Sequence, residues 1–281
     1  MIFIFNLLPQ RGAIFLSQIL GRLAYFILPE DRKTTLKNLK FALGNIYSEK
    51  DLRKIALEVF ENIAKNFAEV ARFKSLSWAE LKTKVKIEGE EYWNDTFRKG
   101  KGVIAVTGHL GNFELLTAYF SLNGYKVTVL SREVYDPRLD ELLKRNRKLV
   151  GVETLSAKED TRKVIRVLKR GETLGITPDQ DSKKYRGVFV DFFGKKANTP
   201  VGPALLHLRY GSPIVPIALL RNGRDKYIIK IRKPIYFEPK KIDDENIREI
   251  TQRYTKDLEQ IIRQNPSQWV WMHKRWKTQP K

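Results

Sequence analysis

The chain has 281 residues, of which 42% are hydrophobic, so it can fold around a sizeable core. It contains no cysteine, which excludes disulfides, cysteine-ligated zinc and thiol nucleophiles, and its three histidines argue against a multi-histidine metal site. Lysine and arginine outnumber acidic residues 53 to 32, and the net charge of +21 attracts anions such as nucleic acid, anionic lipid or an acidic carrier protein.

The first 28 residues are the most apolar part of the chain and carry only two charges, Arg11 and Arg22. Pro9 interrupts them, and neither piece gives 18 consecutive uncharged apolar residues, which is the length a membrane span needs. No small-residue cleavage site of a signal peptide is evident. We expect residues 1–30 to form a membrane anchor lying in the lipid interface, beside a cationic stretch that meets anionic phosphates: Arg32, Lys33, Lys37 and Lys40. The alternative is a helix packed on the protein's own core.

The following segment, 31–80, has the texture of amphipathic helices. Apolar side chains recur there at helical spacing, with charges between them: Leu52, Ile55, Ala56, Val59, Phe60, Ile63, Phe67 and Val70. We assign these helices to a single domain of residues 31–281.

From about residue 85, strands and helices alternate. A buried strand is predicted at 102–107, a helix at 114–122 and the next strand at 125–130, a unit that builds parallel sheets. Further predicted elements are a helix after Asp136-Pro137, a strand at 152–155, a helix at 159–169, a strand at 173–177, a helix from Thr199-Pro200 to Gly211, paired strands at 214–220 and 227–231, and a helix at 245–263. The fold class is therefore α/β, with a mixed, mostly parallel sheet flanked by helices and a helical, membrane-associated N-terminal segment.

The residues from His109 to Glu114, here called the central motif, lie where the 102–107 strand meets the next helix. Sites in open α/β sheets form at the carboxyl ends of strands. Residues five apart diverge by about 140° on a helix, so His109 and Glu114 can meet only if His109 lies in the loop and Glu114 in the first turn. Glu114 would then orient His109, leaving the second ring nitrogen to act as a general base. Oxyanion donors are expected among backbone amides near 108–111 or 192–194.

Three further side chains have alternative interpretations. Arg132 follows the 125–130 strand and either meets a substrate phosphate or forms an ion pair with Glu133 or Glu141. His207 has the setting of a packed helical histidine. His273 lies among tryptophans and cations, which is typical of a membrane interface or of stacked nucleic acid. Membrane contact fits the apolar N-terminus better, and we expect one or two of these tryptophans to pack in the core.

Several blocks of the chain resemble the bacterial lipid A biosynthesis acyltransferases, the lauroyl and myristoyl transferase family. The first is Gly108-His109-Leu110-Gly111-Asn112-Phe113-Glu114. The others, in the same order as in that family, are Thr177-Pro178-Asp179-Gln180-Asp181, the segment 187–194 (GVFVDFFG) and the segment 266–277 (PSQWVWMHKRWK). Phe113 departs from the family, which often has Trp there. The Phe-Pro-Glu-Gly block of the glycerolipid acyltransferases is absent from the sequence, which disfavours a glycerol-phosphate acceptor.

The resemblance implies an O-acyltransferase with His109 and Glu114 as catalytic residues. It places Arg147, Asp179 and Gln180 in the substrate-binding wall, with Arg132 as a further candidate there. It also implies an acyl thioester donor on acyl carrier protein, or acyl-CoA, a lipid A precursor as acceptor, and work at the cytoplasmic face of the inner membrane. We expect no metal, cofactor or nucleic acid.

Three rival functions remain open. One is an acyltransferase for another lipid acceptor, such as a lysophospholipid, ornithine lipid or glycolipid. A second is a basic nucleic-acid-binding protein, although the sequence has no known nucleic-acid motif. The third is an esterase, which would need the Gly-x-Ser-x-Gly elbow that this sequence lacks.

Overall fold

The computed structural model describes residues 2–75, 77–132, 136–156, 161–181, 186–223, 225–236 and 241–280. Within these ranges the helices are α1 (Ile2–Leu7), α2 (Gln10–Ile27), α3 (Pro29–Leu43), α4 (Glu49–Ala71), α5 (Trp78–Lys84), α6 (Glu90–Arg98), α7 (Phe113–Leu122), α8 (Pro137–Leu149), α9 (Thr161–Lys169), α10 (Gly202–Tyr210) and α11 (Asp244–Gln264). The strands are β1 (Val85–Glu88), β2 (Val103–Val106), β3 (Val127–Ser131), β4 (Glu153–Ser156), β5 (Thr173–Ile176), β6 (Gly187–Phe192), β7 (Lys195–Pro200), β8 (Ile214–Arg221) and β9 (Tyr227–Ile231).

In the described part of the chain, seven strands form one sheet in the order β1-β9-β8-β2-β5-β3-β4. Every neighbouring pair is parallel except β8 and β9, which form the antiparallel pair expected around Asn222-Gly223. Strands β6 and β7 form a separate antiparallel hairpin. The predicted α/β class with a mixed, mostly parallel sheet is confirmed.

The central strands are buried on both faces. Every residue of β2 is buried, which explains its uninterrupted apolar sequence Val103-Ile104-Ala105-Val106. One face of the sheet meets α7 and α8, and the other meets α9, α10 and α11. The sheet core is thus covered by helices on both sides, as parallel sheets require.

One predicted helix start is wrong. Thr199 and Pro200 are the last residues of β7, and α10 begins only at Gly202, because β7 pairs with β6 through Pro200. Pro203, not Pro200, occupies the first turn of α10, where a missing backbone N–H costs nothing. The predicted end at Gly211 is confirmed, with a left-handed C-cap there. The predicted start of α9 at Glu159 lies outside the described residues.

The helices of the N-terminal third share a core with the sheet domain. Leu39 of α3 and Val59 of α4 belong to the same buried cluster as Leu220 of β8 and Trp269. Helix α2 packs on α4 through small side chains, Ala13, Ser17 and Gly21. A Cβ on Gly21 would stand 2.7 Å from the Cα of Glu61, so only glycine permits this approach.

The opposite side of α2 is apolar and exposed. Phe15 is 66% exposed and Leu23 53%, and Ile19 and Phe26 extend the same side. This arrangement reverses that of an ordinary surface helix, which buries its large apolar side chains. Among the described helices none alone has the length and hydropathy of a membrane span, whereas α2 and α3, joined with a bend of 91°, meet the criteria as a pair.

Candidate active site

The central motif lies at the carboxyl ends of two adjacent parallel strands. Val106 is paired with Ile176 in the register of β2 and β5. His109 and Asp179 each follow their strand by three residues, so the sheet brings them to the same edge. This is the position at which open α/β sheets form their sites.

Asp179 holds His109 through two hydrogen bonds. The Nδ1 of His109 lies 2.9 Å from Oδ1 of Asp179, and the backbone N–H of His109 donates to Oδ2 at 2.7 Å. The indole Nε1 of Trp269 also donates to Oδ2, at 2.9 Å. Asp179 is buried and Trp269 is fully buried, so this carboxylate accepts three hydrogen bonds away from water.

The expected hydrogen bond between His109 and Glu114 is therefore corrected. Glu114 does lie in the first turn of α7, as predicted, with Asn112 as the N-cap. Its carboxylate, however, accepts two hydrogen bonds from Arg147 of α8, at 2.9 Å from Nε and 2.6 Å from Nη2. The residue that orients the His109 ring in this structure is Asp179, because the β2–β5 register places it closer than the helix places Glu114.

The two paired groups shift each other's pKa. Burial alone would lower the pKa of His109, but the negative charge of Asp179 and the hydrogen bond to it outweigh burial and raise the pKa above 6.5. Burial opposes ionisation of Asp179 as well, yet His109 and the donated hydrogen bonds hold the pKa of that carboxyl well below its usual range. Asp179 is thus ionised at neutral pH and favours the imidazolium form of His109.

Gln180 and His273 complete the surroundings of the His109 ring. The amide nitrogen of Gln180 lies 3.3 Å from Nδ1 and 3.2 Å from Nε2 of His109, and these near-equal distances place it over the ring instead of along one lone pair. The same amide lies 2.9 Å from Nε2 of His273. Burial and the nearby His109 lower the pKa of His273 to about 4, so His273 is neutral at physiological pH.

A buried network fixes the loop of the central motif. Gly111 has φ +56°, and a Cβ there would stand 1.9 Å from the carbonyl oxygen of Leu219. Asn112 donates to Glu69 at 2.7 Å, and the Glu69 carboxylate also receives Arg221 at 2.8 Å and the hydroxyl of Tyr227. Glu69 is 1% exposed, so its charge depends on these partners.

The C-terminal segment binds the other side of that loop. The N–H of Gly111 donates to the carbonyl of Gln268 at 2.8 Å, and the N–H of Val270 donates to the carbonyl of His109 at 3.1 Å. The N–H of Phe193 donates to Glu259. The amides of His109, Gly111 and Phe193 are therefore engaged within the protein, which is at odds with their predicted use as oxyanion donors.

A cavity of about 640 Å³ opens beside His109 and is here called the catalytic cavity. Its polar wall includes five predicted residues: His109, Glu114, Arg132, Arg147 and Gln180. The remaining wall is mainly apolar and comes from α7, β3, α8, β5 and α10: Phe113, Val129, Leu130, Leu139, Leu143, Ile176, Pro203 and Leu206. Its volume falls in the range of roughly 300–1,000 Å³ that holds small ligands.

The other candidate residues are placed as follows. Arg132 is exposed at the end of β3 and lines the catalytic cavity; Glu133, one of its two suggested ion-pair partners, lies outside the described residues. Asp179, which was expected in the substrate-binding wall, does not line the catalytic cavity and instead contacts Nδ1 of His109. His207 is a buried helical histidine, as predicted, with its Nδ1 2.7 Å from the carbonyl oxygen of Ser212.

The expected core packing of one or two tryptophans is confirmed, because Trp269 and Trp271 are fully buried. The contacts of Trp269 with Asp179 and of His273 with Gln180 were not predicted, since the sequence favoured a membrane interface for this segment. The block 266–277 did contain the signal, because its tryptophans and histidine stand in a short stretch with no helical or strand periodicity. Such a segment is ordered by what it contacts, and here Trp269 forms an antiparallel bridge with Leu110 of the central motif.

Known proteins match most of this chain. The lipid A biosynthesis lauroyltransferase of Escherichia coli K12 is 27% identical over 265 residues, covering 93% of this chain and 84% of the relative. A lipid A biosynthesis acyltransferase of Haemophilus influenzae is 28% identical over 235 residues, covering 83% and 70%. The lipid A biosynthesis palmitoleoyltransferase of E. coli K12 is 22% identical over 279 residues, covering 97% and 87%.

The family model described as bacterial lipid A biosynthesis acyltransferase matches residues 1–278, which include the motif, the Asp179 loop and the Trp269 segment. The chain therefore belongs to the bacterial lipid A biosynthesis acyltransferase family and is an acyltransferase.

Proposed function

We propose that this enzyme transfers a fatty acyl group from an acyl thioester, carried by acyl carrier protein, to a hydroxyl of a lipid A precursor. The observation that carries the proposal is the His109–Asp179 pair beside a largely apolar cavity. A histidine held at Nδ1 by a carboxylate is oriented to use Nε2 as a base.

In the proposed reaction, Nε2 of neutral His109 takes the proton of the acceptor hydroxyl. As it does so, the hydroxyl oxygen attacks the carbonyl carbon of the thioester. The tetrahedral intermediate then expels the thiolate as the C–S bond breaks, and the imidazolium returns the proton to that sulfur. Asp179 keeps the Nδ1 proton in place and stabilises the imidazolium. No step requires a covalent acyl-enzyme.

The Glu114–Arg147 pair gives the cavity a fixed cationic donor. Glu114 occupies Nε and Nη2 of Arg147, and Nη1 of the same guanidinium provides further N–H groups. We assign Nη1 to the developing oxyanion, a role in which preorganised donors are effective because they need no reorganisation. Glu114 thus contributes by holding Arg147 and by adding negative charge near His109.

The apolar wall suits the acyl chain of the donor. Each methylene that leaves water contributes about 0.8 kcal/mol, so a long chain is held mainly by this wall. The net charge of +21 favours both an acidic carrier protein and a phosphorylated lipid.

We further propose that residues 1–30 anchor the enzyme at the cytoplasmic face of the inner membrane. The exposed apolar side of α2 supports an interfacial position, because Phe15, Leu23 and Phe26 have solvent around them in the isolated chain. The small side of the same helix is already used against α4, so the anchor is attached rigidly to the rest of the protein.

The test is a transfer assay with purified full-length protein, acyl carrier protein thioester and lipid A precursor, in which mass spectrometry identifies the product. We expect one acyl group to be added, and His109→Ala to reduce the rate by about 10²–10⁴-fold. Parallel reactions with a lysophospholipid, an ornithine lipid and a glycolipid as acceptors test the alternatives. Full activity of His109→Ala, or acylation of another acceptor alone, would overturn the proposal.

A further inference from the structure

A second cavity adjoins the catalytic cavity and is here called the basic cleft. Its volume is about 440 Å³, and it shares Ser131 and Arg132 with the catalytic cavity. The two spaces are therefore neighbours across the end of β3. The residues that line only the basic cleft come from α8, from β4 and from Val152, which precedes β4.

The lining of the basic cleft suits an anion. It presents three cations, Arg132, Lys144 and Lys148, and one carboxylate, Glu153. Lys144 is held by Asp140 at 2.7 Å, one helical turn earlier. The hydroxyls belong to side chains on the edge strand β4 and on its neighbour β3: Thr154, Ser156 and Ser131. Lysine ammonium groups and hydroxyls are common phosphate ligands.

Strand register and helix geometry both direct these groups to one place. Ser131 and Ser156 are paired in the register of β3 and β4, at the carboxyl ends of both strands. On α8, Lys144 and Lys148 lie on one face, and Arg147 is displaced from Lys144 by about 60°, given 3.6 residues per turn. The same helix thus presents Arg147 to the catalytic cavity and two lysines to the basic cleft.

We propose that the basic cleft binds a phosphate group of a substrate whose reacting atom lies in the neighbouring catalytic cavity. This inference rests on the proposed function. A phosphate monoester carries a charge of about −1.5 to −2 at pH 7. It is attracted to the three cations of the cleft, whose charge is offset only in part by Glu153 and by Asp140, the partner of Lys144. Two substrates carry a phosphate that could bind here: the headgroup of the acceptor lipid, where it is a monoester, and the phosphopantetheine arm of the donor, where it is a singly charged diester.

The binding arm uses phosphorus NMR on the full-length protein in detergent, with glucosamine 1-phosphate as the probe at constant ionic strength. We expect the phosphorus line to broaden with wild-type protein, and the broadening to fall in the Lys144→Ala/Lys148→Ala variant. Lys256→Ala is the matched control, because Lys256 is an exposed lysine of α11, which lines neither cavity. Equal broadening in the double variant and wild type would overturn the proposal.

The activity arm compares matched substrate pairs. One pair is the lipid A precursor with and without its phosphates, and the other is the acyl thioester of phosphopantetheine and of pantetheine. We expect the preference for one phosphorylated partner, measured as a ratio of kcat/KM values, to fall about tenfold in the double variant and to stay unchanged in Lys256→Ala.

The two arms separate the possible failures. Loss of preference in the acceptor pair assigns the basic cleft to the lipid phosphate, and loss in the donor pair assigns it to phosphopantetheine. An unaltered preference in both pairs overturns the proposal. If the phosphate probe binds at the basic cleft but no acyl transfer occurs with any substrate, the proposed function fails and the phosphate site stands.

Discussion

Replacing Asp179 with asparagine tests the His109–Asp179 pair directly. In the native protein Oδ2 of Asp179 accepts from two fixed donors, the N–H of His109 at 2.7 Å and the indole of Trp269 at 2.9 Å. Asparagine has one carbonyl oxygen, which must stay with these two donors. Its amide NH₂ then faces Nδ1 of His109, so Nδ1 becomes the acceptor and the proton of the neutral ring moves to Nε2.

With its proton on Nε2, the neutral ring of His109 has no lone pair at that nitrogen to take the proton of an acceptor hydroxyl. We therefore expect kcat of Asp179→Asn to fall by about 10²–10⁴-fold, the range that general-base assistance supplies. At a pH where His109 is neutral, stability should change little, because each hydrogen-bonding atom keeps a partner. Asp179→Ala, in contrast, leaves buried donors unpaired at about 1–3 kcal/mol each and should lower the melting temperature clearly.

The pH dependence gives the same test a second readout. His109 acts as a base only when it is neutral, and Asp179 raises its pKa. The rate should therefore rise with pH through a midpoint above 6.5, and the midpoint should move to lower pH in Asp179→Asn. The raised pKa of His109 also adds to the free energy of unfolding. This contribution is fully present below the pKa that His109 has in the unfolded chain, and it is lost as the pH rises through the higher pKa of the folded state.

The measurement is steady-state transfer from pH 5.5 to 9, with thermal unfolding of each variant. Asp181→Asn is the matched control, since Asp181 lies two residues away. Its carboxylate accepts hydrogen bonds from Thr278, at 3.0 Å from the backbone N–H and 2.9 Å from the hydroxyl. Wild-type kcat and an unshifted profile in Asp179→Asn would refute the reasoning and return the orienting role to another residue.

Three further predictions concern the loop and the anchor. Glu69→Gln should lower the free energy of unfolding by about 3–5 kcal/mol, because the buried Arg221 loses its charged partner; urea unfolding measures this. It should also lower kcat, measured as the transfer rate, more than Glu61→Gln does, because the Glu61 carboxylate contacts α2. Gly111→Ala should cost at least about 1–3 kcal/mol from the positive φ alone, seen as a lower melting temperature. Leu23→Ser should weaken partition onto anionic vesicles about fivefold, for about 1 kcal/mol of half-exposed side chain, whereas Leu149→Ser, at the same 53% exposure, should not.

The sequence contained the architecture of the sheet but not the contacts across it. Uninterrupted apolar runs such as 103–106, and stops such as Asp136-Pro137, are local signals, and the elements they predicted are present. The hairpin of β6 and β7 was missed because it carries Asp191, Lys195 and Lys196 on exposed positions, without a regular apolar alternation. Its last residues, Thr199-Pro200, then resembled a helix start.

The partner of His109 required information that spacing along one segment does not carry. His109 and Asp179 are 70 residues apart, and they meet because β2 and β5 are neighbours in the sheet although they are not consecutive in the chain. Both residues follow a short buried strand by three positions, which is the one sign of the pairing that the sequence offered. Trp269 does not follow a buried strand, so the lack of a helical or strand period in block 266–277 was the only local sign that this segment is ordered by its contacts.

No bond between His109 and Glu114 explains why they stand five residues apart in the sequence. His109 must lie in the loop to reach Asp179, Asn112 must cap α7 to bind Glu69, and Glu114 must lie in the first turn to face Arg147. A different neighbour therefore sets the position of each of these residues, and the tight turn at Gly111 connects them. Asp179 has the largest charge effect on His109, Glu114 adds a smaller one of the same sign, and Arg132 opposes both. The motif therefore sets the position of the base, while the strand beside it supplies the charge that controls its protonation.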